Sequence, residues 1–433
     1  MFQGMRGTGD WVTDERPKNW REMVHYLYPN GSAPLVALTS KMKSQKVDDP
    51  EYYWWTQEIA SVGGTVSGVY TEPTLTTLYT SSGVAGNVLY LKVTAALAAR
   101  VREGHQLLLR DASDYTVDVN VKVISVVVNG ASSILGVRLL EDDDNSTSHD
   151  LSDCDTFLIV GNINAEGAEM PDAVALNPTK VYNRTQIFRS PLSLTRTAMA
   201  TKLRTGDAYQ RAKRECLEMH SIEMELAFIW GVMTENTGSN GKPERTTMGL
   251  VECIKQYAAT NVSDYSLSAA YSGLDWTAAG GGELWLDTML EQIFRYGATS
   301  KLVFAGSGAL LGLNRLAKSS GSIQLTPSSN AYGMQVVKWL TPFGNIDIKT
   351  HPLFSYDSTT RNMMLIFEPS ELTYRFIDDT TFFGEGGKTA STGTGARRID
   401  GINEEYLTEA GLEFIHPKKC GILNGVGIDN DLS

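Results

Sequence analysis

The residues with the clearest potential for chemistry lie in the segment Lys301–Gly312, KLVFAGSGALLG. A strand, a glycine turn and a helix form the setting of a dinucleotide-binding loop and of a nucleophile elbow that presents a serine. The glycines are spaced GxGxxxG, one residue too long for the dinucleotide fingerprint, and no acidic residue ends the next strand near 335–340 to hold a ribose. Ala305 and Ala309 stand where the elbow needs glycine. We therefore interpret this segment as a tight turn between a strand and a helix.

A second candidate is Gly384–Thr389, GEGGKT, which ends like a phosphate-binding loop. The first glycine of that motif would fall at Phe382, and Ala390–Gly395 follows where the motif needs a helix N-terminus to hold phosphate. The composition of Gly384–Gly395 is typical of a flexible loop. A change of Lys388 is therefore expected to leave the function of the protein intact.

Metal and acid–base chemistry have weaker support. The acidic turn Glu141–Asp144, with His149 and Asp150 nearby, lacks the alternating acidic spacing of a calcium loop and is interpreted as a solvated turn. No carboxylate pair stands in a context that would raise a pKa. The histidines show no zinc-ligand spacing: they are His25, His105, His149, His220, His351 and His416. We predict no catalytic, cofactor-binding or metal-binding residues, and no enzyme.

Composition and charge limit which other classes of protein the chain can belong to. The 433 residues, 42% hydrophobic and 20% charged, are typical of a globular protein with two or three substructures. The net charge of −12 argues against a grip on nucleic acid, although it would let DNA slide past without sticking. No apolar run approaches the roughly 20 residues of a membrane helix. The four cysteines lie far apart, which predicts buried free thiols in a reducing compartment: Cys154, Cys216, Cys253 and Cys420.

The longest element that the sequence predicts is a helix over about 207–230, which we call the spine helix. Thr205 or Asp207 can cap its first N–H groups, and Gly231 is expected to end it. At 1.5 Å per residue, this rod is about 36 Å long. Its apolar residues recur at helical spacing, which predicts one buried stripe of Ala208, Ala212, Cys216, Met219, Ile222, Leu226 and Ile229.

The opposite face of the spine helix carries charges. Arg211 and Glu215, and likewise Arg214 and Glu218, are spaced i, i+4 and are expected to pair on an exposed surface. A single rod with one apolar stripe, flanked by β-rich sequence, indicates a structural spine rather than a helix bundle.

Around the spine helix the chain divides by pattern. Residues 1–62 are sparsely hydrophobic and predict an arm, with a short helix near Trp20–Leu27 and an aromatic anchor at Pro50–Trp55. Residues 63–189 are β-like, and the hairpin signal Asn129-Gly130 lies among four predicted strands. These strands predict a small barrel or sandwich inserted at about 86–160: Val88–Thr94, Gln106–Arg110, Thr116–Val128 and Ser133–Leu140. Mixed helices and strands follow the spine helix, so the predicted fold class is α+β.

Taken in order, these segments resemble a tailed-phage major capsid protein of the Hong Kong 97-type fold, in the group without a fused scaffold segment. The resemblance rests on the aromatic Pro50–Trp55 element, the extended β loop, the entry to the spine helix at Arg204–Lys213, and the closing phrase Asn403–Phe414 with His416–Lys419. The resemblance spans nearly the whole chain and consists of the order of the segments and of short sequence motifs.

The resemblance implies a shell subunit with five segments. Those segments are an N-terminal arm (1–62), an extended loop with the inserted β domain (63–189), a peripheral domain on the spine helix (190–247), an axial domain around local symmetry axes (248–360) and return strands (361–433). Many copies would form the pentamers and hexamers of an icosahedral head, which encloses double-stranded DNA without sequence-specific binding. The protein would belong to the virion and assemble in the host cytoplasm.

The resemblance also implies portal and cement or decoration proteins as partners, with no cofactor and no membrane. Because Met1 leads straight into the arm, we expect a separate scaffold protein or none. Neither partner of a covalent crosslink can be matched, so crosslinking is not carried over. The candidate assembly residues are Trp11, Trp20, Tyr52, Trp54, Trp55, Arg211, Glu215, Arg214 and Glu218.

Two alternatives to a capsid subunit stay open. Another virion shell, cage or tail protein would also be structural and β-rich, although a tail or fibre protein should show repeats or a trimeric stem. A nucleotide-dependent enzyme would use the Gly306–Gly312 turn and would bind nucleotide tightly.

Overall fold

The computed structural model describes residues 33–432 except 40–41, 58–62, 81, 115, 144–149, 168, 170–172, 174–176, 202–206, 321–324, 332–333 and 386–400. It contains 28% helix and 39% strand, which confirms the α+β class. The helices of the described residues are α1 Pro34–Thr39, α2 Ala95–Ala98, α3 Arg196–Ala200, α4 Ala208–Trp230 (the spine helix), α5 Leu250–Tyr257, α6 Gly282–Phe294, α7 Ser307–Ser320 and α8 Pro352–Tyr356.

The strands follow the predicted pattern closely in the middle of the chain. They are β1 Lys43–Lys46, β2 Glu51–Thr56, β3 Gly63–Thr65, β4 Gly68–Tyr70, β5 Val88–Val93, β6 His105–Arg110, β7 Asp118–Val127, β8 Ser133–Leu139, β9 Thr156–Asn162, β10 Thr179–Arg184, β11 Gln186–Thr195, β12 Thr234–Thr237, β13 Pro243–Thr246, β14 Val262–Asp264, β15 Ser300–Ala305, β16 Leu325–Ala331, β17 Met334–Thr341, β18 Gly344–Thr350, β19 Met364–Phe367, β20 Leu372–Glu385, β21 Gly401–Phe414 and β22 Gly421–Asn424.

The chain forms two compact units. The body unit comprises Met1–Trp54 and Lys180–Ser433, and the barrel unit comprises Trp55–Thr179. The barrel unit is therefore an insertion into the body, entered and left once.

In the body unit, the spine helix lies on a four-stranded sheet of order β1-β20-β21-β11. Asp207 caps the helix by accepting a hydrogen bond from the Tyr209 N–H, and Gly231 follows its last residue. The long antiparallel partners β11 and β21 are in register from Gln186–Ala410 to Thr195–Gly401. Phe228 packs edge-on against Phe188 and Tyr374, so that helix and sheet share one core.

The second layer of the body is a seven-stranded mixed sheet of order β14-β22-β19-β15-β18-β17-β16. Its central strands β15 and β19 are buried on both faces, as their unbroken apolar sequences predict. Trp276 and Trp285 are fully buried in the core between this sheet and its helices.

The barrel unit is a sheet of order β3-β9-β6-β7-β8-β5-β4 that closes on itself. Strands β3 and β4 are successive parts of one segment, which pairs with β9 through Gly63–Thr65 and with β5 through Gly68–Tyr70. Between β3 and β4, the Val66 N–H donates a hydrogen bond to the Asp155 carbonyl, and the Ser67 N–H donates one to the Lys92 carbonyl. The barrel thus begins at Gly63, earlier than the 86–160 range that the sequence suggests, and its inward Val and Leu side chains form a separate core.

The predicted apolar stripe of the spine helix is partly wrong. Cys216 and Ile229 are buried, but Met219 is 62% exposed and Leu226 is 41% exposed. Ala208, Ala212 and Ile222 are only half-buried. The buried residues of the helix are instead Cys216, His220, Met224, Glu225, Phe228 and Ile229.

Helix geometry explains this shift. Residues spaced by four, Cys216, His220, Met224 and Phe228, advance about 40° around the helix at each step, so the buried face turns as the rod crosses the sheet. The polar residues His220 and Glu225 can lie on this buried face because each has hydrogen-bond partners inside the body.

We predict opposite effects for two neighbouring substitutions. Phe228→Asp places an unpaired charge among aromatic rings and should cost at least about 4 kcal/mol, leaving the protein insoluble or unfolded. Leu226→Asp lies on the exposed side and should change stability by less than about 1 kcal/mol. Soluble yield and thermal melting distinguish the two, and a Leu226→Asp variant as unstable as Phe228→Asp would mean that the buried face is misassigned.

Candidate assembly interface

Another backbone segment of the same protein packs against the glycine turn of Lys301–Gly312. The N–H groups of Gly306, Gly308 and Ala309 donate to the backbone carbonyls of Met363 and Arg361. A Cβ on Gly306 would lie 2.2 Å from the Arg361 oxygen, and one on Gly312 would lie 2.5 Å from Gly427 Cα. These glycines let backbone segments approach closely, and the N–H groups that would hold a phosphate already have acceptors.

A serine and a histidine meet elsewhere without triad geometry. Ser190 Oγ lies 2.9 Å from His220 Nδ1, and His220 Nε2 lies 2.8 Å from Thr408 Oγ1. Glu223 contacts the serine hydroxyl rather than the imidazole. Desolvation lowers the pKa of His220, and both Ser190 and His220 are buried. This cluster ties the spine helix to β11 and β21 and offers no nucleophile to a substrate.

The four cysteines are free and buried, as predicted. Burial raises the pKa of each thiol, that of Cys420 to about 11. A thiolate nucleophile is therefore absent at neutral pH. Among the described residues, no group of three or more His, Cys, Asp or Glu side chains is placed to hold a metal ion.

Several sequence candidates lie outside the described residues. They are the arm residues Trp11 and Trp20, the short helix near Trp20–Leu27, Lys388 in the glycine-rich loop, and Asp144 and His149 of the acidic turn.

The described arm is anchored by one buried carboxylate. Glu225, fully buried in the spine helix, accepts hydrogen bonds from the Leu35 N–H at 2.8 Å and the Val36 N–H at 2.7 Å. These are among the first N–H groups of α1, which have no acceptor within their own helix. A side chain almost 190 residues away thus takes the place of a local cap.

The same carboxylate binds the end of the mixed sheet. His351, which follows β18, places Nε2 2.8 Å from Glu225 Oε1. The imidazole stacks on Phe354 at 4.4 Å and lies 5.3 Å from Phe304, with no exposed atom. Glu225 therefore joins the arm, the spine helix and the mixed sheet at one point.

The aromatic element at the end of the arm is only partly available to neighbours. Tyr52 and Trp54 are buried in the body, and the Tyr52 hydroxyl donates to the Leu412 carbonyl. Trp55 is 63% exposed. Of these three candidates, Trp55 is the one whose ring the subunit leaves to solvent.

The charged face of the spine helix forms one of its two expected pairs. Arg211 lies 3.8 Å from Glu215, with both side chains about 40% exposed, so the pair contributes little stability. Arg214 and Glu218 are both described and do not pair. Arg214 is exposed to solvent.

An apolar stripe lies on the solvent side of the spine helix. Met219, Leu226 and Trp230 are spaced by seven and four residues, which places them on one face, and all three are exposed. Large apolar side chains that lie in one line on a surface are candidates for a contact with another protein.

Comparison with known proteins identifies the kind of subunit. The model of the SU10 major capsid protein family matches residues 7–427. The chain belongs to this major capsid protein family. A major capsid protein of Pseudomonas phage PaMx41 is 25% identical over 410 residues, covering 92% of this chain and 90% of that protein.

Solved structures of phages are similar in outline. A structure from Mycobacterium phage Cain covers 97% of this capsid protein and 98% of its own chain, at 7% identity and a TM-score of 0.47. The capsid structure of the cyanophage P-SCSP1u covers 62% and 80%, at 12% identity and a TM-score of 0.37.

The family match therefore confirms the expected identity: this is a phage major capsid protein, a structural component of the virion shell and not an enzyme. No helix among the described residues is both long and apolar enough to cross a membrane.

Sequence reasoning missed Glu225 and His351. Both are polar residues whose hydrogen-bond partners are distant in sequence, so no local sequence pattern predicts their role. One available signal was Glu225 itself, a carboxylate between the apolar residues Met224 and Leu226 in the least polar part of the spine helix.

We predict that Glu225→Gln loosens the arm. The amide cannot accept from both N–H groups and pair with His351, and breaking a buried charged contact costs on the order of 3 kcal/mol. Thermal melting should fall, and trypsin should cleave at the exposed Lys43 and Lys46 faster than in the parent. Glu218→Gln on the same helix is the matched control, and equal cleavage of all three proteins would contradict the anchor.

Proposed function

We propose that copies of this capsid protein assemble as hexamers and pentamers into an icosahedral head that encloses double-stranded DNA without sequence-specific binding. The observation that carries this proposal is the set of large apolar side chains that the folded subunit leaves exposed. The stripe Met219, Leu226 and Trp230 and the ring of Trp55 are exposed in the single subunit, and a neighbouring copy that covers them would bury their apolar area.

Within that head, we assign roles to the segments of the chain. The arm and the extended loop embrace neighbours, the peripheral segment around the spine helix forms the body of the shell, and the axial segment at 248–360 surrounds the local symmetry axes. A portal and cement or decoration proteins complete the assembly, with a separate scaffold protein or none. The net charge of −12 supports a lining that encloses DNA without gripping its phosphates.

The arm provides a test of assembly that spares the fold. Deleting residues 1–32 keeps α1 and its bonds to Glu225, so the subunit should stay soluble and melt within a few degrees of the parent. Because the aromatic residues of the arm would then be missing from neighbour contacts, shells should be lost. Negative-stain electron microscopy with light-scattering mass measures the result, and intact shells from the truncated chain would contradict an assembly role for this segment.

The exposed stripe gives a second, independent readout. Leu226→Asp should leave the subunit folded and reduce shell yield at least 10-fold, since it puts a charge into a contact between copies. Lys318→Glu, an exposed change on α7, is the control and should assemble normally. Full assembly of the Leu226→Asp protein would remove this stripe from the interface.

A further inference from the structure

Two of the four free thiols lie together in the body unit. Cys253 lies on α5, and Cys420 lies between the end of β21 and the start of β22. Cys253 has no exposed surface, and Cys420 is 3% exposed. Both residues line one narrow cleft of about 200 Å³, whose other walls come from α5, the start of β20 and the segment 414–417. Two thiols that are far apart in the sequence therefore share the wall of a single cleft.

The backbone holds α5 against the chain on both sides of Cys420. Cα atoms of α5 lie within 8 Å of Cα atoms in Pro417–Lys419 and in β22, the two segments that flank Cys420. Shortly after α5, Asn261 donates from its Nδ2 to the carbonyls of Lys418 and Cys420, both at 2.8 Å. A disulfide joins Cα atoms about 4–7 Å apart, which is compatible with the spacing of these segments.

Electrostatics also places the two thiols close together. Burial, and next the negative charge that an ionised Cys420 would carry, raise the pKa of Cys253. Burial raises the pKa of Cys420 to about 11, although a backbone hydrogen bond from Glu368 and the ammonium of Lys301 oppose this shift. The Lys301 Nζ donates to the Lys419 carbonyl at 2.8 Å. Both thiols stay protonated at neutral pH, so their oxidation is slow rather than prevented.

The other two cysteines lie away from this cleft. Cys154 belongs to the barrel unit. Cys216 lies on the spine helix, where its thiol donates to the Ser190 carbonyl at 3.3 Å and packs against β11 and β21. An intrachain disulfide is therefore expected to join Cys253 and Cys420.

We propose that Cys253 and Cys420 form an intrachain disulfide once the virion has left the reducing interior of the host cell, with hydrogen peroxide as the oxidant. One thiol takes an oxygen atom as the O–O bond of the peroxide breaks, which gives a sulfenic acid and one water. The second thiol then forms the S–S bond as the S–O bond breaks, and a second water leaves. Two thiols are oxidised and one peroxide is reduced to two waters. Inside the cell, the reducing cytosol keeps both residues as thiols.

The position of this disulfide determines what it stabilises. β21 belongs to the four-stranded sheet and β22 to the mixed sheet, so Cys420 lies where the chain passes from one sheet to the other. The disulfide joins that passage to α5 and closes a long loop of the chain. Closing a long loop removes much of the freedom of the unfolded chain, which stabilises the fold. The subunit thus folds without the bond and becomes more stable after release.

The test maps the disulfide in the full-length chain. Reduced protein is treated with hydrogen peroxide and digested with trypsin, which releases Cys253 in peptide 246–255 and Cys420 in peptide 420–433. We expect mass spectrometry to find these two peptides joined, two hydrogen atoms lighter than their sum, and separate again after reduction. Electrophoresis without reductant should show the monomer, because the bond lies within one chain.

Two variants connect the bond to stability. Peroxide should raise the melting temperature of the parent and of the matched control Cys216→Ala by several degrees. The melting temperature of Cys253→Ala should not rise, because the second thiol is missing. If Cys253→Ala fails to fold, the peptide map of the parent still decides whether the bond forms.

The opposite results are equally specific. Thiols at 253 and 420 that both remain free for alkylation when the oxidised parent is denatured would overturn the proposal. Joined peptides that contain Cys154 or Cys216 instead, or a sulfinic acid at Cys420 without a link, would overturn it as well. Each of these measurements works on the unassembled subunit. A failure of shell assembly would therefore count against the proposed function and leave the disulfide to be decided by the peptide map.

Discussion

The body of this subunit depends on one buried carboxylate. Glu225 is fully buried, and an isolated carboxylate in that position would be prohibitively costly. Two N–H groups of the arm and the imidazole of His351 make it tolerable, and these partners come from two other parts of the chain. The spine helix can therefore pack in its observed position only when the arm and the end of β18 are also in place, which makes the three segments cooperative.

The sequence predicted where the spine helix lies better than which way it faces. Its bounds, about 207–230, differ by one residue from Ala208–Trp230, because a capping Asp207 and a terminal Gly231 are local signals. Its buried face could not be read in the same way. Hydrophobicity favoured Met219 and Leu226, whereas the body buries His220 and Glu225, whose hydrogen-bond partners are supplied by distant strands and helices.

The barrel shows the same limit of prediction from sequence. Alternating Val and Leu residues predicted β5 to β8 within two residues, but closure depends on Gly63–Tyr70, a short segment with little apolar content of its own. At the glycine turn around Gly306, the local pattern suggests a function that contacts with distant residues exclude. Its local pattern is shared by nucleotide-binding loops, and only the backbone of Arg361 and Met363 shows that its N–H groups are already bonded. Local patterns predict elements, while pairing and packing decide what those elements do.

The net charge of the subunit also bears on how its copies can meet. Copies with a net charge of −12 repel each other at long range, but at physiological ionic strength the screening length is about 8 Å. Across a shell contact, a subunit therefore responds to the few charged groups facing it rather than to the whole protein.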